Sequence, residues 1–316
     1  MSFRKPLVDL LCAFIPSRRM RHEIRQHFNY QVKTDAHYLK AIKDILRVNF
    51  DITQVPPAHG NLRKVQLAST GLLTAVVRLC EENGINVFLH GGTLLGAIRH
   101  KGFVPWDDDT DLGMLREDFE KFMALAEKFL PNAHFNLSVH PSNILQVTHV
   151  ASQLYIDIFP FDTWHKKAAT PKEIRDLKYA IWEFRAHAKH VSSKNIRPSE
   201  YFKRLTPLFD RYLMEGRPAA ADGSIFKYGG RNDIWNHDWV LPTTPVQFEG
   251  RTMPALHETH LALSTLYGDY YDYPFDILSK HKNWTARMSC EQLSALDKLL
   301  ALSDGQIFDL LTEGRA

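Results

Sequence analysis

Cysteine, excess charge and long apolar runs are all scarce in this sequence, and each shortage removes a class of protein. Cysteine occurs only at Cys12, Cys80 and Cys290. The three are odd in number, far apart and form no CxxC pair, which argues against a disulfide scaffold and against a cysteine-rich zinc site. Buried or neutral cysteines in a reducing cytosol are expected instead. The 39 basic and 36 acidic side chains leave a formal charge of only +3. That balance does not suit a chain that coats nucleic acid, so no nucleic-acid partner is expected and any basic surface must be local. No run of about 18 apolar residues occurs, so no transmembrane helix is predicted. HExxH is missing despite 16 histidines, which leaves a zinc hydrolase without support. Leu7 to Ile15 follows Arg4 and Lys5 in the manner of a leader peptide. Asp9 interrupts that run, and Pro16-Ser17-Arg18-Arg19 stands where a small-residue cleavage site belongs. A cytoplasmic protein is the expectation. What is present, 316 residues at 44% hydrophobic and 24% charged, suffices for one large domain or two modest ones.

Residues 1–30 form a distinct segment. Leu7, Leu10, Leu11, Phe14 and Ile15 recur at helical spacing, Pro16 breaks the run, and Arg18, Arg19, Arg21 and Arg25 follow. An apolar face beside an arginine cluster suits peripheral contact of residues 1–28 with anionic lipid, for instance on the inner face of the plasma membrane. A helix packed on the protein body with solvated arginines is the alternative. A helix and a loop holding Pro56-Pro57 fill 31–60. The spacing then predicts a helix over 61–83 with Gly84 as its stop, a strand at Asn86–Leu89, a Gly91-Gly92 turn, and a short helix over Leu94–Arg99 capped by Thr93. Strands are expected at Thr110–Met114, Phe135–His140, Leu145–Val150 and Leu154–Phe159, and an amphipathic helix over Glu117–Phe129. Helices at 171–191, 198–214 and 257–266, a loop-rich stretch at 215–250 and a short hairpin at Phe248–Pro254 complete the order. That order suggests an α+β or α/β domain over about 60–165, followed by a mainly helical part.

The chemistry concentrates between His90 and Met114. Strand side chains alternate faces, so Asp109 and Asp111 are expected on one face, with Asp107 at its entrance and Asp108 pointing away. Convergent carboxylates repel one another unless a cation neutralises them, and hard oxygen ligands suit Mg²⁺ or Mn²⁺. Asp157 stands among Ile156, Ile158 and Phe159 and needs a partner or a metal. Gly91 and Gly92 allow close backbone approach to a ligand, and the helix that follows offers N–H groups to phosphate. Arg99, His100 and Lys101 supply cations for the remaining phosphate charge. These parts fit a nucleotide diphosphate donor and a metal-assisted displacement. A calcium loop competes, because Asp107, Asp109 and Asp111 have its 1, 3, 5 spacing. Its glycine position holds Leu112 and its terminal glutamate position holds Asp118. Trp106 is a candidate to stack on a base or a choline-like cation, against simple packing. Arg231 and Trp235 are weaker candidates for sugar or phosphate contact. Tyr267-Gly-Asp-Tyr-Tyr271 either shapes the acceptor side or ends a helix.

The segment His90-Gly-Gly-Thr-Leu-Leu-Gly-Ala-Ile-Arg-His-Lys-Gly-Phe-Val-Pro-Trp-Asp-Asp-Asp-Thr-Asp-Leu-Gly-Met114 resembles the signature of the LicD family, a branch of the polymerase-β-like nucleotidyltransferases that includes bacterial phosphocholine transferases and fukutin-related transferases. Tyr155-Ile-Asp-Ile-Phe-Pro-Phe161, Phe248-Glu-Gly-Arg-Thr-Met-Pro254 and Leu266-Tyr-Gly-Asp-Tyr270 extend the resemblance over about 60–275. It implies an α+β fold with a mixed, nucleotidyltransferase-like β-sheet flanked by helices in a catalytic core over 31–165, and a mainly helical acceptor-side region over 166–316 that completes the same domain. It also implies a divalent metal, and transfer of a phospho-substituent from a CDP-activated donor to a glycan. Asp107, Asp109, Asp111 and Asp157 match the family's acidic positions. By that likeness Asp109 and Asp111 hold Mg²⁺ (or Mn²⁺), while Asp107 and Asp157 assist in metal binding or take the proton of the acceptor hydroxyl. Gly91, Gly92 and Thr93 face the donor phosphates. Thr110 replaces the usual apolar residue between the aspartates. No cysteine-rich insertion of the fukutin-related kind is seen, which favours the bacterial branch.

The resulting expectation is a metal-dependent transferase. It moves phosphocholine or a related phospho-alcohol from CDP-choline or another CDP-alcohol to a surface glycan, such as lipopolysaccharide, capsule or teichoic acid, or to its lipid-linked precursor. Two other readings use the same residues: a nucleotidyltransferase that releases pyrophosphate from an NTP, and a non-catalytic glycan- or membrane-binding module.

Overall fold

The computed structural model describes residues 37, 40, 42, 44–164, 170–193, 196–212, 224–227, 234–274 and 287–314. Residues 1–30, with Cys12, and Arg231 lie outside them. The chain divides into two units, Met1–Gln54 with Tyr271–Pro274, and Val55–Tyr270 with Phe275–Ala316. In the first, residues 44–49 are helical, a single 3-10 turn covers Ile52–Gln54, and Arg47 Nη1 lies 3.7 Å from Asp272 Oδ1.

The second unit is built on a mixed sheet in the order β1-β2-β5-β4-β3. Its strands are β1 Phe88–Leu89, β2 Asp111–Leu115, β3 Phe135–His140, β4 Ile144–His149 and β5 Tyr155–Thr163. β2 and β5 run parallel, and the other pairs of this path are antiparallel. One face is apolar: Leu112, Met114, Leu137, Leu145, Val147, Ile156 and Ile158 are all buried. Helix α1 (Gly60–Glu82) and helix α3 (Arg116–Ala126) pack on the sheet. α1 forms because Val65, Ala68, Leu72, Leu73, Val76, Leu79 and Cys80 make one continuous buried face. Asn83 and then Gly84, with φ +62°, end it at the expected place. Burial pushes the Cys80 thiol up, so it is a neutral core residue, whereas Cys290 is exposed.

The opposite face is polar at one end and aromatic below. The register sets Ser138, Gln146, Asp157 and Asp111 in one row across β3, β4, β5 and β2. Under that row, a Cβ on Gly113 would overlap the rings of Phe88 and Phe161. Phe161 stacks on Trp235 with centroids 5.0 Å apart, and Trp235 is 1% exposed. Trp235 is therefore a core side chain and not the ligand contact that its aromatic loop setting suggested.

Beyond β5, two short strands, β6 Ser224–Lys227 and β7 Ile234–Asn236, lie within the stretch expected to be loop. Strands of that length show no periodicity. β6 pairs with Phe161–Thr163, so β5 changes its antiparallel neighbour from β4 to β6. Pro160 stands at the change, past the last residue paired to β4, where its missing N–H costs no ladder bond on that side. At the end of β2, Arg116 makes two bonds to Asp162 on β5, of 2.8 and 2.7 Å. Its guanidinium also lies over Phe119 and over Phe202 and Phe209 of helix α5 (Pro198–Tyr212). Helix α4 (Pro171–Ala188) packs on α5 and starts with a Thr170–Glu173 capping box.

The strands β8 (Thr244–Phe248) and β9 (Arg251–Ala255) form a hairpin that begins four residues before the expected Phe248–Pro254, its first strand lying in the stretch expected to be loop, and turns at Glu249 and Gly250, both at positive φ. Its tip is a brace. Glu249 accepts two bonds from Arg63 of α1, of 2.8 and 2.7 Å, and one from the Phe103 N–H. Arg251 bonds twice to Asp304 of the last helix, both at 2.8 Å. Helix α6 (Thr259–Tyr267) follows, then α7 (Cys290–Leu300) and α8 (Asp304–Leu311), both of which pack on α1. No helix among the described residues is long and apolar enough to cross a membrane.

Burial alone would raise the Glu249 carboxyl, but the hydrogen bonds from Arg63 and Phe103 and the charges of Arg63 and Arg251 outweigh it and hold it below its ordinary value. This stabilisation is present above the ordinary carboxylate range and is lost as pH falls through the lowered value. Glu249→Ala at neutral pH leaves a half-buried guanidinium and a backbone N–H without their acceptor. It should cost about 1–3 kcal/mol, read as a lower denaturant midpoint, with the gap to wild type closing at acid pH.

Candidate active site

The site is the loop between helix α2 (Gly91–His100) and β2, together with the strand ends it meets. The glycine turn, the acidic run and Asp157 come together as the sequence suggests. Some details differ.

Helix α2 starts at Gly91, with His90 as an extended N-cap, rather than at Leu94 with Thr93 as the cap. The Thr93 hydroxyl instead accepts the Asp111 N–H at 2.8 Å. Gly91 has φ +55°, which an L side chain rarely adopts. Space matters as much. A Cβ on Gly91 would run into Asp111 Oδ2, and one on Gly92 into Asp107 Oδ2. The two glycines thus let two carboxylates settle against the start of a helix, where N–H groups and the dipole favour negative charge.

β2 begins only at Asp111, so residues 107–110 do not follow strand alternation. Asp108 accordingly does not point away. The carboxylates of Asp107, Asp108 and Asp109 each offer an oxygen, and all lie within 4.8 Å of one another. Asp111 and Asp157 are direct partners in the parallel ladder beside them. Asp118 bonds to Asn86 at 3.0 Å and to Lys121 at 3.3 Å, so it closes no calcium loop.

The backbone of this loop is pinned at successive points. Gln66 of α1, fully buried, donates to Asp107 O at 2.9 Å and to Val104 O at 3.4 Å. The Asp157 N–H bonds to Thr110 O, and the His90 N–H to Asp111 O. The His90 ring packs on Phe159, Phe161 and Trp235. Asp157 has a side-chain partner as well, because Gln146 Nε2 donates to its Oδ1 at 2.8 Å.

Electrostatics reflect the crowding. Burial first, then the charges of Asp111, Asp107 and Asp108, push the Asp109 carboxyl up to about 9. Burial and the charges of Asp109, Asp157, Asp108 and Asp111 likewise raise the Tyr155 hydroxyl, which shares the face of Asp157 two residues away. A cluster of hard oxygen donors that resists full ionisation by itself fits a divalent cation with an oxygen preference. Asp107, Asp108 and Asp109 are the group whose oxygens converge, with Asp111 and Asp157 alongside.

The expected phosphate-binding cations are placed less simply. Arg99 is buried, donating to Tyr270 O at 2.6 Å and to His100 Nε2 at 3.0 Å. It fixes Tyr270, whose hydroxyl meets His260 Nδ1 at 3.0 Å, just past a turn in which Gly268 at φ +71° ends α6. Lys101 is exposed and closes α2 in a left-handed conformation. Trp106 is half-buried with the Arg99 guanidinium 5.9 Å from its ring centroid.

Gln66, Gln146 and Tyr155 were not singled out from the sequence, and Asp108 was set on the opposite side. Gln66 had a signal, being a polar residue on the buried stripe of α1. Gln146 becomes visible only when the β4–β5 register is known.

These residues coincide with a known family. The family model described as LicD/FKTN/FKRP, nucleotidyltransferase domain, matches residues 84–200. The lipopolysaccharide cholinephosphotransferase LicD of Haemophilus influenzae is 37% identical over 248 residues, covering 67% of this chain and 92% of that protein. The human ribitol 5-phosphate transferase FKRP is 31% identical over 113 residues, covering 28% of this chain and 21% of that protein. The chain belongs to the LicD family, and its α+β, nucleotidyltransferase-like sheet agrees with that membership.

Two outcomes follow from this geometry. Gln66→Leu and Gln146→Leu leave every carboxylate in place, yet each should weaken Mn²⁺ binding about tenfold or more, as loss of outer hydrogen bonds does at metal sites; Mn²⁺ titration followed by electron paramagnetic resonance reads this. For Asp109 the native state holds its proton more tightly than the unfolded chain, so metal-free stability falls as pH rises from the ordinary carboxylate value of 3.8 towards about 9. Asp109→Asn should therefore melt higher than wild type in chelator at pH 8, with the difference vanishing near pH 4.

Proposed function

We propose that this protein is a metal-dependent transferase that moves phosphocholine, or a related phospho-alcohol, from a CDP-activated donor to a hydroxyl of a cell-surface glycan or its lipid-linked precursor. The observation that carries the reading is the convergence of Asp107, Asp108 and Asp109 beside the paired Asp111 and Asp157, on a face walled by the start of α2. The names of the two relatives support phosphoryl-group transfer and, in one case, a lipopolysaccharide acceptor.

A Mg²⁺ or Mn²⁺ ion held by these carboxylates would neutralise donor phosphate charge and polarise the phosphoryl oxygens. The chain's own residues do the rest. The acceptor hydroxyl attacks the β-phosphorus of the donor. A new P–O bond forms, the bond from that phosphorus to the bridging oxygen breaks, and CMP leaves. Asp157, oriented by Gln146, takes the hydroxyl proton. Gly91, Gly92 and Thr93 set the carboxylates against the helix start beside the donor phosphates. Exposed Lys101 is the cation of the Arg99-His100-Lys101 run that reaches phosphate, while Arg99 and His100 shape the wall around Trp106. A lipid-linked acceptor would bring the reaction to a membrane surface, on its cytoplasmic side in this reading.

A thermal-shift series checks the donor. CDP-choline, or another CDP-alcohol, should raise the melting temperature only when Mg²⁺ is present. With acceptor glycan the same donor should yield CMP, and Asp109→Asn or Asp111→Asn should lower that rate about a hundredfold or more. Pyrophosphate from an NTP would replace this reading with nucleotidyl transfer. Neither product, with Mg²⁺ binding unchanged in Asp111→Asn, would leave the non-catalytic module.

A further inference from the structure

Helix α4 carries a surface that stands apart from the reaction. α4 buries Leu177, Ile181, Phe184 and Ala188 on one side. On its outward side Tyr179 and Trp182 are 63% and 60% exposed, with ring centroids 5.8 Å apart. Two large amphipathic rings side by side in water are unusual on a surface with no partner. Their neighbours are equally selective. At about 100° per residue, Arg175, Lys178, Arg185 and Lys189 fall in the same outward sector as the two rings, and all are exposed. The acids of the helix, Glu173, Asp176 and Glu183, fall on the other flank. There Glu183 accepts the Tyr179 hydroxyl, and Glu173 closes the capping box. Beside Trp182 a cavity of about 450 Å³ opens between α4 and the β3–β4 turn, lined by Pro141, Ser142, Asn143, Trp182, Arg185 and Lys189.

We infer that this face is a docking surface for a membrane rich in anionic phospholipid. Tryptophan and tyrosine are the side chains that settle at headgroup depth, apolar body inward and polar tip outward. Lysine and arginine beside them extend to lipid phosphates, and each adds to binding on an anionic leaflet. Arg185 and Lys189 on the cavity rim are positioned to receive one phosphate headgroup. A neutral glycan would call for several free carboxylates and amides beside the rings; the outward sector carries four cations, and the nearest acid, Glu183, is taken up by the Tyr179 hydroxyl.

The test uses the full chain and vesicles of phosphatidylcholine with or without an equal share of phosphatidylglycerol. Wild type should sediment with the anionic vesicles, less so at high salt, and not with the neutral ones. Arg185→Glu combined with Lys189→Glu should weaken this partition about tenfold or more, and Tyr179→Ser combined with Trp182→Ser should do likewise. All four positions are exposed, so unchanged circular dichroism and CMP release from a soluble acceptor will show that the fold and the site are intact. Brominated lipid should quench part of the tryptophan fluorescence of wild type, and that part should vanish in Trp182→Phe. Failure of wild type to sediment would overturn the inference. So would α4 variants that bind like wild type, which would place the contact elsewhere in the chain. A change in Trp182 fluorescence with soluble glycan but not with vesicles would assign the face to the acceptor instead.

Discussion

Like charges packed closer than water would let them settle are the constraint around which this molecule is organised. Three consecutive aspartates converge, a fourth follows at the strand entrance and a fifth stands across the ladder. Such an array gains nothing in stability by itself, and burial makes it worse, as the Asp109 carboxyl shows. It persists because the backbone that carries it is tied by Gln66, Thr93, His90 and Asp157. The ties engage main-chain atoms, so the carboxylate oxygens point where the chain aims them. Electrostatic strain is confined to the side chains, where a cation can relieve it.

The rest of the fold keeps that aim fixed. Parallel pairing of β2 with β5 sets Asp111 beside Asp157 without help from either side chain. Phe88, Phe159, Phe161, His90 and Trp235 fill the space beneath, leaving Gly113 no room for a side chain. The hairpin tip holds Phe103 and Arg63 on either side of the loop's approach, and Arg251 ties the same tip to the last helix. Arg116 and Asp162 lock the far end of the same two strands. The block around Glu249 and Arg251, which the sequence suggested as part of the family pattern, is thus a structural brace, joined to the carboxylate loop through Phe103 and through Arg63 and Gln66.

Much of this was legible in the sequence because it depends on local rules. Helix α1 and its glycine stop, the hairpin at Glu249-Gly250 and the strands from Phe135 to Phe159 follow from periodicity and turn chemistry. The acidic run and the glycine pair were visible as residue types. What stayed hidden depends on contacts between distant parts of the chain. Asp108 was assigned to the wrong side because alternation holds only within a strand, and the strand starts three residues later. Thr93 was read as a cap when its partner is the Asp111 N–H, 18 residues on. Trp235 looked like a loop aromatic until its strand joined the sheet edge, and Gln146 gained meaning only from cross-strand register.

The brace also sets a schedule. Glu249 lies 146 residues beyond the Phe103 that it holds. A ribosome adding about 5–20 residues per second needs roughly 7–30 s to cover that span. Once Thr163 has been added, and for the rest of that interval, the nascent chain contains the whole carboxylate array and most of its sheet, but not the hairpin that steadies the loop, nor Asp304, which anchors Arg251. Completion of the site is thereby tied to near-completion of synthesis. A half-made chain has the chemistry in its sequence without the rigidity to use it, and a truncation before the hairpin yields a product of the same kind.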